Sequence, residues 1–279
     1  MSSKISIITI NYNDKNGLQK TIASVASQNW QEFEFIVVDG NSNDGSKDII
    51  EANKHAFTHY VSEPDSGIYN AMNKGIRLAS GTYLLFLNSG DILLNEYTLQ
   101  NAQEYIDDNY GIYYGDLIYQ HPNKQRERIL PEKLTFLFFL EHSLSHQASF
   151  IKKSLFDEIF YYNESYKIVS DWEFFIYAIC KMNVSYKHIP LVVTIYDVAG
   201  ISSLKDNYRL MFEERNQTLC KYFPAFIDDY QSITALGSKR TKQFLFIGKH
   251  KLAWSLLKGM MNVILLFLKK KSLNKTDYR

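Results

Sequence analysis

Ile5-Ser6-Ile7-Ile8-Thr9-Ile10-Asn11-Tyr12-Asn13 and Phe33-Glu34-Phe35-Ile36-Val37-Val38-Asp39-Gly40-Asn41-Ser42-Asn43-Asp44-Gly45 decide the fold. Each is a run rich in β-branched or aromatic residues, about one strand long, closed at once by Asn, Asp or Gly. A strand buried on both faces reads this way, and such strands belong to parallel sheets covered by helices. Between the two, Leu18, Ile22 and Val25 recur at helical spacing. Farther out, a short helix is expected from Ser46 to about Lys54 and a weaker strand over residues 57–62. Ile68, Met72, Ile76 and Ala79 then share one helical face, and a strand over 83–87 ends in Asn88-Ser89-Gly90-Asp91.

Strand and helix alternate through the first hundred residues, the pattern of an α/β fold with helices flanking a sheet. Three strand ends carry polar or acidic loops, at residues 11–14, 39–44 and 88–91. In open α/β sheets, ligands bind beyond the carboxyl ends of the strands. Carboxylates gathered there repel one another unless a cation or a donor-rich ligand lies between them, which points to a site. The second half is less regular. Strands are expected near 111–118, 145–151 and 192–198, a helix over 171–181, and helix from about Asp206 to the end. Three divisions follow, at 1–115, 116–205 and 206–279.

The 279 residues are 46% hydrophobic and 22% charged, the composition of a globular protein. Aromatics make up 15%, which suits a core that also lines a groove for a ring-shaped ligand. Two cysteines, Cys180 and Cys220, show no metal-type spacing, and Met1 to Lys4 runs straight into the strand-like Ile5 to Ile10 without the pattern of a secretory leader, so secretion is not expected. A reducing, cytoplasmic setting is expected. The formal charge of +1 conceals an asymmetry: from Lys239 onward there are 11 basic residues and one acid, and before it 20 basic and 29 acidic. A body of charge −9 repels phosphates, which argues against a nucleic-acid binder.

A Walker loop, a Gly-x-Gly-x-x-Gly turn after the first strand, a His-Glu-x-x-His and a Gly-x-Ser-x-Gly elbow are all absent. Carboxylate chemistry remains. Hard oxygen ligands such as Asp91 suit Mg²⁺ or Mn²⁺ bound together with substrate phosphates, so metal-assisted departure of a diphosphate is a consistent reading.

The two opening stretches are followed in order by Gly67-Ile68-Tyr69-Asn70-Ala71-Met72-Asn73-Lys74-Gly75-Ile76 and by Gly81-Thr82-Tyr83-Leu84-Leu85-Phe86-Leu87-Asn88-Ser89-Gly90-Asp91. Together they resemble the family 2 glycosyltransferases, whose GT-A fold is a Rossmann-like mixed sheet flanked by helices. His146-Gln147-Ala148-Ser149-Phe150 and Ser170-Asp171-Trp172-Glu173-Phe174 resemble the acceptor-side motifs of the branch that builds bacterial capsule, exopolysaccharide and O-antigen. The resemblance runs from Lys4 to Ser203. It implies a nucleotide-sugar-binding half over 1–115, an acceptor-binding half over 116–205 and a helical extension over 206–279.

By the same resemblance, Thr9 and Asn11 contact the base and ribose of a nucleotide-sugar donor, UDP-linked, and Asp39 accepts a hydrogen bond from the uracil or ribose. Asn73 lies on the helix under the nucleotide, and Asn88 and Ser89 belong to the diphosphate turn. The family's acids at Asn88 and Gly90 are missing, which leaves Asp91 as the single carboxylate for Mn²⁺ or Mg²⁺. Asp171 matches the general base of an inverting transfer to a saccharide or lipid-linked acceptor, and His146 positions the sugar or a phosphate. In such a transfer the attacking hydroxyl needs a carboxylate to take its proton.

Plainer readings exist. Asp171 also serves as a favourable first-turn acid, with Ser170 as cap, and His146 in an apolar strand as a satisfied core histidine. Two rival functions follow: a non-catalytic, membrane-associated assembly subunit, and a sugar-nucleotide pyrophosphorylase, whose Gly-rich loop residues 11–17 lack. In the tail, Trp254, Leu257, Met261, Ile264, Leu265 and Leu268 follow helical spacing beside Lys251, Lys258 and Lys269 to Lys271. An in-plane amphipathic helix on an anionic membrane surface, contributed by residues 239–279, is expected, which makes the protein peripheral on the inner face of the plasma membrane. The alternatives for this stripe are packing on the acidic body and a homodimer contact.

Overall fold

A computed structural model describes residues 5–198, 200, 205–227 and 239–267. Ile5–Asn11 forms strand β1, whose seven residues are all buried, and Phe33–Asp39 forms β2 beside it in parallel. The two end flush, with Asn11 opposite Asp39, so their polar loops emerge side by side. His59–Ser62 (β3) and Tyr83–Phe86 (β4) extend the parallel set on either side. Backbone bonds from Leu87 to Ile8 and from Ser89 to Ile10 carry the β4 chain along β1 as far as the 88–91 turn.

The helices on this half follow the expected periodicity. Lys15–Ala26 (α1) is capped by Asp14, which accepts from the Gly17 N–H at 2.9 Å, and buries Leu18, Ile22 and Val25. Ser46–Ala52 (α2) is short. Ile68–Leu78 (α3) buries Tyr69, Ala71, Met72, Asn73 and Ile76 against β1 and β2. Gly75 belongs to the same face because a Cβ there would run into Ile8.

The second half turns the sheet mixed. After Ile92–Leu93 (β5) and helix Thr98–Gln103 (α4) come Ile112–His121 (β6), Lys124–Arg128 (β7), Ser149–Lys152 (β8) and Tyr186–Asp197 (β9). Among the described residues these strands make one nine-stranded sheet of order β3-β2-β1-β4-β8-β6-β9-β5, with β7 hairpinned onto β6. β8 is antiparallel to both β4 and β6, while β6 and β9 are parallel. The sheet is therefore the mixed, helix-flanked α/β sheet expected. β6 runs straight across residues 115–116, so the two expected halves share one sheet. The β6–β7 hairpin has no counterpart in the sequence reading, since Lys124–Arg128 is almost wholly charged and exposed.

Helices Phe136–Glu141 (α5), Ser154–Glu158 (α6), Ser170–Cys180 (α7) and Tyr208–Tyr222 (α8) cover this half. α7 is buried nearly all round, from Trp172 to Ile179, as its apolar composition requires.

Two compact units divide the chain, Met1–Tyr222 and Phe223–Arg279. α8 thus belongs to the first unit rather than to a C-terminal extension. The second unit holds Lys239–Gly248 (α9) and Lys251–Phe267 (α10), joined at a tight turn where the Phe244 ring meets Trp254 edge-on at 5.1 Å. Leu268 and Lys269 to Lys271 of the expected stripe lie outside the described residues.

Candidate functional site

The register places the carboxyl ends of β1, β2, β4, β6 and β9 at one edge of the sheet. Because β8 runs the other way, its start lies at this edge too, and with it the 3₁₀ turn His146–Ala148. Two separate polar networks form there.

The first joins Asn11, Asp39 and Ser89. Asn11 Nδ2 donates to Asp39 Oδ1 at 2.8 Å, and the Ser89 hydroxyl donates to Asn11 Oδ1 at 2.9 Å. Asp39 is fully buried and also accepts from the Ser42 hydroxyl and N–H and from the Ser62 hydroxyl. Burial works against its ionisation, but the bonds from Ser42, Ser62 and Asn11 outweigh burial and hold the carboxyl below its ordinary range. With this many internal donors, Asp39 shapes the 39–44 loop. In front of that loop, Tyr12 is 69% exposed, and a Cβ at Gly40 would strike the Asp65 carboxylate. Gly40 leaves room between an open aromatic face and an acid, a pairing that the sequence reading did not single out.

The second network is built on Asp171, in the first turn of α7. Its Oδ2 lies 3.1 Å from His146 Nδ1, and its Oδ1 accepts from the Tyr69 hydroxyl at 3.0 Å. His146 Nε2 in turn lies 3.2 Å from Asn88 Nδ2. The partners fix the proton positions. With Asn88 Nδ2 as donor, Nε2 accepts, so Nδ1 carries the hydrogen that it donates to Asp171. Burial opposes ionisation of Asp171; the hydrogen bonds from His146 and from the Tyr69 hydroxyl outweigh it and keep the carboxyl below its ordinary value. Burial, together with Asp171, raises the Tyr69 pKa well above its usual value, so Tyr69 remains a donor. Asn88 Oδ1 is buried and has no hydrogen-bond partner.

Three expected site residues face elsewhere. Thr9 is fully buried, and its hydroxyl donates to the Leu87 carbonyl at 2.7 Å, which ties β1 to the end of β4. Asn73 clamps the segment before α7, donating to the Tyr162 carbonyl and Glu164 and accepting from the Tyr162 N–H. Both side chains spend these bonds on other parts of the protein. Asp91 is 3% exposed, and its Oδ1 accepts from the Asp197 N–H at 3.0 Å, so it fastens the end of β9 to the 88–91 turn. Burial pushes its pKa from 3.8 up to about 7.

That placement decides how the turn suits a cation. Asp91 is turned inward, Gly90 has no side chain, and the Asn88 amide leans on His146. Among the described residues, no group of three or more His, Cys, Asp or Glu side chains could hold a metal ion. The turn does not fit a cation held by Asp91, and no step of the chemistry is assigned to one.

Tyr69 and Glu164 were missed in the sequence for a simple reason. Tyr69 stands inside a quoted motif, but its partner is 102 positions away, and no local pattern signals such a pair.

A mixed α/β sheet flanked by helices, with polar loops along one strand-end edge, is the layout of the GT-A fold. A model described as glycosyl transferase family 2 matches residues 6–165. The chain is 31% identical over 203 residues to a PGL/p-HBAD biosynthesis glycosyltransferase of Mycobacterium tuberculosis, covering 70% of this chain and 77% of that one. It is 35% identical over 91 residues to the putative teichuronic acid biosynthesis glycosyltransferase TuaG of Bacillus subtilis, covering 31% and 36%. Among solved structures, S. aureus TarS 1-349 in complex with UDP superposes with a TM-score of 0.60 at 21% identity, covering 88% of this chain and 78% of that one. A mannosyltransferase from Pyrobaculum calidifontis in complex with GDP-Man and Mn²⁺ gives 0.59 at 16% identity, covering 95% and 81%. The chain belongs to glycosyl transferase family 2 and is a glycosyltransferase of GT-A fold.

The Asp91 geometry predicts a pH signature. Unfolded, this carboxyl releases its proton near its ordinary pKa of 3.8; folded, it keeps it to about 7. Stability therefore falls as pH rises between those values and is level above them. Asp91→Asn keeps an acceptor for Asp197 and cannot ionise. It is expected to melt several °C above the parent at pH 8, with the gap closing below pH 5; parallel melting curves at both pH values would refute this.

Proposed function

We propose that the protein transfers a sugar from a UDP-linked donor, with inversion, to a saccharide or lipid-linked acceptor in the assembly of a surface glycan. The observation that carries the reading is the Asp171 carboxylate, kept ionised by His146 and Tyr69 at the strand-end edge. The names of similar proteins agree with it: TarS is described in complex with UDP and with UDP-GlcNAc, and TuaG with teichuronic acid biosynthesis.

The nucleoside portion rests on the loops after β1 and β2, between Tyr12 and Asp65. Asn88 Oδ1, the unpartnered acceptor, takes a hydroxyl of the donor sugar. The acceptor hydroxyl gives its proton to Asp171 as its oxygen bonds to the anomeric carbon. The bond from that carbon to the diphosphate breaks, and UDP leaves with the electron pair. Asp171 is the general base. His146 acts through it, as a positioning residue that orients the carboxylate and lowers its pKa.

Asp171→Asn is expected to lower transfer, read as UDP release from a panel of UDP-sugars, by about 10²–10⁴-fold, with UDP binding within twofold of the parent. Full activity in this variant would remove Asp171 from the base role. For His146→Ala, loss of the lowering influence should move the acid limb of the pH–rate profile to higher pH. A profile that falls in height without shifting would leave His146 with no influence on the base.

The second unit suggests where the acceptor is met. No residue of α10 is buried, and Leu252, Leu256, Leu266 and Phe267 are each more than 70% exposed. Residues 239–267 contain six Lys or Arg and no acid. Among the described residues, no helix is long and apolar enough to cross a membrane. An apolar helical hairpin with cationic flanks suits an anionic bilayer surface, with its apolar side at the acyl boundary. The full chain is expected to sediment with phosphatidylglycerol vesicles and much less with phosphatidylcholine, whereas a chain ending at residue 238 remains in solution with both. Equal sedimentation of the two forms would assign membrane binding elsewhere.

A further inference from the structure

Beside Asp171, a cavity of about 250 Å³ opens among the β6–β7 hairpin, the 143–147 segment, α7 and α8. It shares His146 and Asp171 with the site already described. All its other walls come from residue 119 onward, so none of the loops after β1, β2 and β4 reaches it. Its volume lies below the roughly 300–1,000 Å³ of pockets for drug-sized ligands. It has room for one small ring and a substituent.

Two guanidinium groups line it, Arg128 and Arg215. Both side chains are half-buried, unlike Arg126 on the same hairpin, which is exposed. Arg128 donates to the Tyr119 hydroxyl and, at 3.1 Å, to the Ser143 carbonyl. Neither partner carries a charge, and among the described residues no carboxylate is within ion-pair distance of Arg128. Arg215 lies over the Trp172 ring, its central carbon 4.8 Å from the centroid. Glu214, one residue earlier, accepts from the N–H groups of Lys167, Ile168 and Val169. That anchor seats α8 on the chain entering α7 and so brings Arg215 onto Trp172. Both cations are thus pre-positioned, each braced by an aromatic side chain. The planar guanidinium fork matches carboxylate and phosphate in two-bond geometry.

We infer that Arg128 and Arg215 recognise an anionic group, phosphate or carboxylate, on the acceptor saccharide, and that Tyr119 and Trp172 flank the ring that carries it. This rests on the acceptor-side role of Asp171 proposed above. The donor diphosphate is the competing occupant. The absence of any wall from the first 118 residues favours the acceptor, because the nucleotide loops lie there.

The test is binding to the full chain, followed by Trp fluorescence and calorimetry, of glucuronate and glycerol phosphate, with glucose and glycerol as uncharged controls and UDP measured in parallel. Each anion is expected to bind at least 10-fold more tightly than its control. Arg128→Gln and Arg215→Gln should each abolish most of that advantage while leaving the Kd for UDP within twofold. Arg128→Lys, which keeps the charge but not the fork, should retain part of the advantage and guards against misfolding as the cause. A stronger response to glycerol phosphate identifies a phosphorylated acceptor, and one to glucuronate a uronic acid. Uncharged controls that bind as tightly as the anions overturn the inference. So does a loss of UDP affinity in step with the anions, which would give the arginines to the donor diphosphate. Failure of every form to bind UDP would instead strike at the donor reading and leave the anion comparison standing.

Discussion

The carboxylate of Asp171 is reached from two sides, by the Tyr69 hydroxyl on one oxygen and His146 on the other. These donors come from the start of α3 and from the turn before β8, and through Asn88 the chain of contacts continues to the end of β4. A buried carboxylate ionises only when such donors repay its lost hydration. Four segments far apart in sequence must therefore be in register for this one group to be charged.

Much of the polar burial around the site secures that register. Asn73 and Glu164 clamp the segment entering α7, and Glu214 accepts three successive N–H groups just before the helix. Asp91 holds the end of β9, and Thr9 joins β1 to Leu87. Apart from Glu164, which accepts from the Asn70 and Asn73 amides, each is a side chain spending hydrogen-bonding capacity on backbone, which fixes chain position more tightly than apolar contact alone, since such bonds are directional. Residues that look like ligands in a motif act here as its framework. The side chains proposed for substrate are Asp171, Asn88, Tyr12, Asp65 and the two arginines.

The charge asymmetry acquires a physical layout from the same facts. The acids of the first unit include Asp39, Asp91 and Asp171, each tied into the strand-end edge. The second unit is a hairpin whose described residues carry only positive charge and whose apolar side chains are exposed along most of α10. Neutrality of the whole chain is the sum of two parts with different electrostatic tasks.

The sequence by itself determined the buried strands, the polar loops at their ends and the family, because strand and helix periodicity are local and the motifs are contiguous. It also placed Asn11, Asp39 and Asn88 at strand ends, His146 in a strand and Asp171 at the start of a helix. Tertiary structure decided which of them meet. The antiparallel insertion of β8 between β4 and β6 brings His146 to Asn88, and α3 lends Tyr69 to a carboxylate 102 residues away. It likewise turned Thr9, Asn73 and Asp91 inward and drew Arg128 and Arg215 from a charged hairpin and a polar helix to one cavity. A residue type fixes which bonds a side chain is able to make. Which partners are within 3 Å of it depends on the order and direction of strands, and that order is set by packing of the whole sheet.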